Sequence, residues 1–131
     1  MRHFLTRSLS PSPSDLFEGN APTSTDGDRI ATVLMYLNTP EGGGETAFPR
    51  SFPDADWHEA RGGAASWSEC GRSGAAARAV QGDALLFFSL KPEGKKDDAS
   101  MHAGCPPTAG IKWVGELAAR AFVGEEAGSI S

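Results

Sequence analysis

Apolar residues in this chain gather in two nearly uninterrupted runs. The first, RIATVLMYLN from Arg29 to Asn38, is rich in β-branched side chains and almost continuously apolar. That is the pattern of a strand buried on both faces. The second extends from Val80 to Leu90 and contains Ala84-Leu85-Leu86-Phe87-Phe88; it predicts another strand. Between them, Thr39-Pro40-Glu41-Gly42-Gly43-Gly44 predicts a turn, and Glu45-Thr46-Ala47-Phe48-Pro49 a short strand. The first run and this short strand therefore read as a hairpin-like pair. From Arg50 to Ala79 the pattern dissolves into Gly, Ala, Ser and scattered Trp. A long surface insertion is expected there, of the kind that often covers a binding site.

The remaining segments are shorter. KPEGKKDDA, Lys91 to Ala99, predicts a charged and solvated turn. Met101 to Cys105 predicts a short strand, and Pro106-Pro107-Thr108-Ala109-Gly110 a turn. Ile111 to about Phe122 opens as a strand, yet Glu116-Leu117-Ala118-Ala119-Arg120-Ala121 is made of good helix formers, which leaves its state open. Residues 1–27, rich in Ser, Pro, Thr, Asp and Gly, read as coil, and Gly124 to Ser131 as a frayed tail. No internal repeat is evident.

Composition sharpens this picture in a few places. A chain of 131 residues supports one domain with one modest core. Sixteen glycines and 39% apolar residues favour a mainly β fold with many turns over a helical bundle. A net charge of −5 without a basic cluster argues against a nucleic-acid surface. No apolar run approaches a membrane span. The opening MRHFLTRSLSPSPS lacks acidic residues, faintly like a transit peptide, but has no apolar centre. A disordered or foreign amino terminus is the expectation. Cys70 and Cys105 are not in C-x-x-C spacing, which argues against structural zinc. By themselves they leave open a disulfide or two thiols.

The residues with chemical reach are His102, in Ser100-Met101-His102-Ala103-Gly104-Cys105, and Lys112, in Ile111-Lys112-Trp113. An imidazole can ligate a metal, and an ammonium can grip a carboxylate. Two adjacent strands joined by a short turn would aim both into one cavity. A lysine beside a tryptophan ordinarily snorkels to water; if buried, it needs an anionic partner. Phe87, Phe88 and Trp113 would keep such a cavity dry or simply pack a core.

Taken in order, RIATVLMYLN, GGETAFP, GDALLFFSL and a His-x-Gly-Cys-Pro turn leading to Lys-Trp resemble the prolyl 4-hydroxylase catalytic domain, in its plant and algal form. The resemblance covers roughly residues 28–113. It implies a double-stranded β-helix, the jelly-roll barrel of the Fe(II)/2-oxoglutarate dioxygenases, here incomplete and with long loops. The barrel would occupy residues 28–123, between a foreign or coil segment 1–27 and a disordered tail 124–131. The implied activity is hydroxylation of peptidyl proline with Fe(II), 2-oxoglutarate, O2 and ascorbate. The implied partner is a proline-rich peptide or hydroxyproline-rich glycoprotein, and the implied compartment is the secretory pathway, in the endoplasmic reticulum.

Carried over by position, His102 matches the distal histidine of the metal triad and Lys112 the lysine that pairs with the far carboxylate of 2-oxoglutarate. Thr46 and Tyr36 match positions in the cosubstrate pocket, and Arg29 an arginine near the peptide groove. Cys70 and Cys105 have counterparts in plant-type sequences, and a disulfide between them would tie the insertion to the turn after His102. The family's first metal motif, His-x-Asp, does not occur in this chain. Asp15 and Phe17 fit its surroundings, but Pro13 stands where the histidine would be, and proline offers no lone pair. Asp15 is thus the candidate second ligand. Asp56-Trp57-His58 has the reversed spacing and would put both groups on one side of a strand; His3 lies in expected coil. Ala118 replaces a tryptophan of the pattern. These departures suit a partial chain with foreign ends or a decayed paralogue. They raise an alternative to the active oxygenase: a barrel that binds 2-oxoglutarate or proline-rich peptide without turnover. A metal-free jelly roll that binds sugar or peptide is a third reading.

Overall fold

The computed structural model describes residues 2–5, 28–54 and 56–121. Among them are nine strands: β1 (Arg2–Leu5), β2 (Asp28–Tyr36), β3 (Gly42–Gly43), β4 (Thr46–Phe48), β5 (Ala75–Ala77), β6 (Ala84–Phe88), β7 (Ala103–Gly104), β8 (Pro107–Ala109) and β9 (Trp113–Ala121). They form a four-stranded sheet in the order β1-β9-β2-β6, a three-stranded sheet β5-β4-β7 and a ribbon β3-β8. Every pairing is antiparallel. The architecture is an incomplete jelly roll, mainly β with long loops.

The two apolar runs lie side by side as β2 and β6, with Thr32 opposite Phe87 and Leu34 opposite Leu85. Strand alternation then gives the large sheet two unlike faces. Thr32, Leu34, Tyr36 and Phe87 are buried on the inner face. On the outer face Leu86, Phe88 and Leu117 are more than half exposed. Phe88 and Trp113 therefore do not help dry an interior; of the three aromatics expected to do so, only Phe87 turns inward.

Three sequence expectations are corrected. The hairpin between the first run and Thr46–Phe48 does not form: β2 lies between β9 and β6, whereas β4 lies between β5 and β7. The glycine turn carries the chain from one sheet to the other. Gly43 and Gly44 have φ of 67° and 76°, and a Cβ at Gly44 would fall 2.8 Å from Pro40 Cγ, so only glycine fits. Arg2–Leu5, within the stretch read as coil, pairs with β9 from Arg2 opposite Glu116 to Leu5 opposite Trp113; four residues are too few to show a period. Pro107–Ala109, read as turn, forms β8 against β3. The helix formers of Glu116–Ala121 are strand, because a ladder along β2 outweighs a few tenths of a kcal/mol per residue of helix propensity. The proposed tail 124–131 lies outside the described residues.

The insertion has its own structure. Three 3-10 turns, Glu59–Arg61, Ala64–Ser66 and Cys70–Arg72, lead to β5. Trp67 is 4% exposed and packs with Ala47, Ala76 and Cys105 in one apolar cluster. Ala47 alternates with Thr46 and Phe48, so the insertion covers the outer face of the small sheet. Small alanines at 47 and 76 leave room for the indole, and a disulfide joins Cys70 to Cys105.

Candidate active site

The face of β4 that looks at the large sheet carries Thr46 and Phe48. Phe48 meets Phe87 edge-on at 5.4 Å between ring centroids. Thr46, only 1% exposed, accepts a hydrogen bond of 2.9 Å from the Tyr36 hydroxyl. Burial raises the Tyr36 pKa above its ordinary value; the Thr46 hydrogen bond opposes this, and the charge of Asp83 adds to it. Replacing Tyr36 with phenylalanine should cost about 1 kcal/mol by leaving the Thr46 hydroxyl with less to bond. Urea denaturation checks this.

Lys112 enters the same region from the residue before β9. It is 6% exposed, and its ammonium lies 5.6 Å from the Tyr36 ring centroid. Among the described residues its one hydrogen bond, a long one, runs 3.4 Å to the main-chain oxygen of Glu45. Among the described residues the ion pairs are Arg29–Glu116 and Arg50–Asp98, so no carboxylate pairs with Lys112. Burial pulls its pKa down to about 8, against the opposing charge of Glu45. Asn38 sets the backbone that presents it: its amide donates to the Ile111 carbonyl and accepts from the Trp113 N–H, both at 2.6 Å. Ile111 and Trp113 face solvent while Lys112 between them is buried, a strand alternation that turns the cation inward.

His102 stands at the other end of the β4 face. Its ring is 4.4 Å from Phe87 and 6.0 Å from Phe48, centroid to centroid. Its Nδ1 lies 3.0 Å from the Ser100 carbonyl. That carbonyl orients the ring, and an Nδ1 proton donated to it leaves the Nε2 lone pair free, the arrangement metal-bound histidines use. The charged turn supplies the support: Asp97 caps the 3-10 turn Asp98–Ser100 by accepting from the Ala99 N–H at 3.1 Å.

One face of β4 thus connects His102, through Phe48, to Thr46, Tyr36 and Lys112. Arg29 is at the far end of β2 from Tyr36, and its guanidinium pairs with Glu116 at 3.1 Å. His58 bonds the Gly71 carbonyl at 3.0 Å and stacks edge-on against Trp67, while Asp56 is exposed. His58 is thus a part of the insertion and not a replacement ligand. Asp15 and Pro13 lie outside the described residues, and so does the His3 side chain. Among the described residues no group of three His, Cys, Asp or Glu side chains could hold a metal ion. A single imidazole does not make an iron centre.

Sequence reasoning missed Glu45. It is 3% exposed, and its carboxylate accepts from the Ser68 N–H at 2.9 Å and the Ser68 hydroxyl at 2.7 Å. Its main-chain oxygen accepts from the Cys105 N–H at 2.8 Å. A glutamate beside a glycine run looks like solvated turn, and no local signal marks its burial.

Comparison with known proteins fits this arrangement. No family model matches the chain. It is 41% identical over 102 residues to the probable prolyl 4-hydroxylase 3 of Arabidopsis thaliana, covering 76% of this chain and 33% of that protein. It is 44% identical over 99 residues to the probable prolyl 4-hydroxylase 7 of the same plant, covering 76% and 30%. The chain is homologous to part of the prolyl 4-hydroxylase domain. Prolyl 4-hydroxylase 5 of the same plant matches at 41% over 103 residues. The chain spans about a third of the length of these prolyl 4-hydroxylases. The fold matches the crystal structure of the viral collagen prolyl hydroxylase vCPH from Paramecium bursaria Chlorella virus-1, a complex with 2OG. The TM-score is 0.53 at 22% identity, over 92% of this chain and 51% of that one.

Proposed function

We propose that this chain provides the 2-oxoglutarate-binding part of a prolyl 4-hydroxylase-type oxygenase, acting on peptidyl proline in a proline-rich peptide. The observation that carries the reading is the buried Lys112 ammonium, which has no carboxylate partner among the described residues. Burial disfavours the charged amine, and an anion nearby favours it. The far carboxylate of 2-oxoglutarate supplies one, and the Tyr36 and Thr46 hydroxyls flank the same place as hydrogen-bonding groups. The vCPH structure is itself a 2OG complex, which agrees with this choice of dicarboxylate.

The proposal extends to His102 as one iron ligand through Nε2, and to Asp15 as another. His102→Ala is expected to abolish any Fe(II) binding by the chain, read by calorimetry with anaerobic Fe(II). Unchanged affinity would remove His102 from the site. Ascorbate as reductant, Arg29 at the peptide groove and residence in the secretory pathway belong to the same reading. The Cys70–Cys105 bond suits an oxidising compartment. No helix among the described residues is long and apolar enough to cross a membrane.

A second reading has its own support. Among the described residues no group of three His, Cys, Asp or Glu side chains could hold a metal ion. The chain would then hold 2-oxoglutarate or a proline-rich peptide without turning it over. Incubation with Fe(II), 2-oxoglutarate, ascorbate and a poly-proline peptide separates the two. Succinate and hydroxyproline in equal amounts support the oxygenase. Calorimetric binding of 2-oxoglutarate without product supports the second reading, and no binding at all overturns both.

A further inference from the structure

We propose that Glu45 is a positioning residue for Lys112, its buried carboxylate fastening the stretch of main chain whose carbonyl oxygen holds the lysine ammonium. The inference rests on the reading of Lys112 as the dicarboxylate anchor and adds a residue to it. Four observations meet at this glutamate. Ser68 clasps the carboxylate with its N–H at 2.9 Å and its hydroxyl at 2.7 Å. The same Ser68 hydroxyl accepts from the Gly71 N–H at 3.0 Å, which closes the loop around the acid. Gly71 lies so close that a Cβ there would come within 2.9 Å of Glu45 Cδ. On the main chain, the Glu45 oxygen accepts both the Cys105 N–H at 2.8 Å and the Lys112 ammonium at 3.4 Å.

The side chain and main chain of Glu45 therefore point to different structures. The side chain belongs to the insertion on the outer face of the small sheet; the carbonyl belongs to the interior. Glu45 thereby links the insertion to the lysine. The Cys70–Cys105 bond runs alongside, because Cys70 opens the turn that contains Gly71, and Cys105 bonds the same carbonyl. The long insertion thus bears on the site by fixing the anchor.

Glu45 has a second, electrostatic effect on the same amine. The ionisable groups that face Lys112 among the described residues are Tyr36 from β2 and Glu45 from the entry to β4. Burial favours the neutral amine, and the Glu45 charge favours the ammonium. Removing that charge lowers the pH at which Lys112 loses its proton. A residue that only pins a loop would leave that titration where it is.

The test compares Glu45→Gln with the parent chain. Lys112 is titrated directly by NMR on protein labelled with 15N-lysine, its signal assigned by its absence in Lys112→Met, so the reading does not depend on any ligand. Calorimetry then follows 2-oxoglutarate affinity between pH 6.5 and 9. In Glu45→Gln the Lys112 midpoint should move down. The fall in affinity at alkaline pH should move with it, by roughly twofold in affinity at pH 8 for a half-unit shift. An unmoved midpoint in folded Glu45→Gln overturns the electrostatic role. Ser68→Ala keeps the charge and loosens the clasp. Affinity should fall severalfold at every pH with the midpoint in place; unchanged affinity overturns the positioning role. A parent chain that binds no 2-oxoglutarate overturns the functional reading of Lys112, while the titration still decides whether Glu45 governs that amine.

Discussion

Lys112→Met should weaken 2-oxoglutarate binding by roughly 10- to 150-fold, the range given by loss of one charge-assisted contact of about 1.5–3 kcal/mol. The same substitution should leave the empty protein as stable as before, or more so. Methionine fills nearly the same volume and brings no charge to desolvate. In the parent chain the lysine is 6% exposed and, among the described residues, its ammonium has one long hydrogen bond, to a neutral carbonyl. Such a group burdens the unliganded fold. Its titration gives the sign. The amine titrates near 10.5 when unfolded and at about 8 when folded. Between those values the unfolded chain binds more protons, so this group raises stability as pH climbs from 8 towards 10.5. Anion binding runs the other way, strongest below pH 8 and declining above it. Thermal melts with and without 2-oxoglutarate across this range should therefore converge as pH rises, and Lys112→Met should show neither trend. A Met variant that melts well below the parent would mean that the lysine stem, not its charge, is what matters there.

The second large effect is on stability. Cys70 and Cys105 are 35 residues apart in sequence, and opening a loop of that length releases chain entropy worth roughly 4 kcal/mol. The pair Cys70→Ala/Cys105→Ala should lose most of this in a guanidinium titration, and dithiothreitol should reproduce it in the parent protein. For a domain of this size a loss of that order is a large part of total stability. The effect should not be confined to the insertion. Cys105 is 2% exposed and contributes to the cluster of Trp67, Ala47 and Ala76, so loosening it exposes the outer face of the small sheet. A denaturation midpoint that does not move would show that Trp67 and the Glu45–Ser68 clasp hold the insertion without the covalent bond.

Much of the large sheet is legible in the sequence, because RIATVLMYLN and ALLFF are strands long and apolar enough to show as such. The small sheet is not. Its strands are two or three residues long, and Ala75-Ala76-Ala77 has no strand propensity of its own. It pairs because β4 is beside it and Trp67 needs a flat, small-residue surface. The same limit explains the false hairpin. Pattern identifies Thr46–Phe48 as extended but not which sheet it joins, and positive φ at Gly43 and Gly44 decides that. At the candidate site, the resemblance to the prolyl 4-hydroxylase domain singles out Tyr36, Thr46, His102 and Lys112, and contacts through Phe48 and Phe87 link all four along one inter-sheet face. Glu45 escaped notice because its partners, Ser68 and Gly71, come from a region without periodicity. Phe88 and Trp113 were misjudged for a simpler reason: each is one residue from an inward-facing neighbour, and along a strand one residue is the difference between inside and outside.

If 2-oxoglutarate binds as proposed, the lysine that turns inward at the start of β9 also ties this protein's upkeep to its surroundings. A ligand that binds only the native form stabilises it by RT ln(1 + [L]/Kd). Here that increment would add to the partial compensation that the Glu45 charge gives the buried ammonium. Scarcity of the dicarboxylate would then do more than slow a reaction. It would leave more chains open to quality-control proteases, so that metabolic supply sets how many intact copies persist.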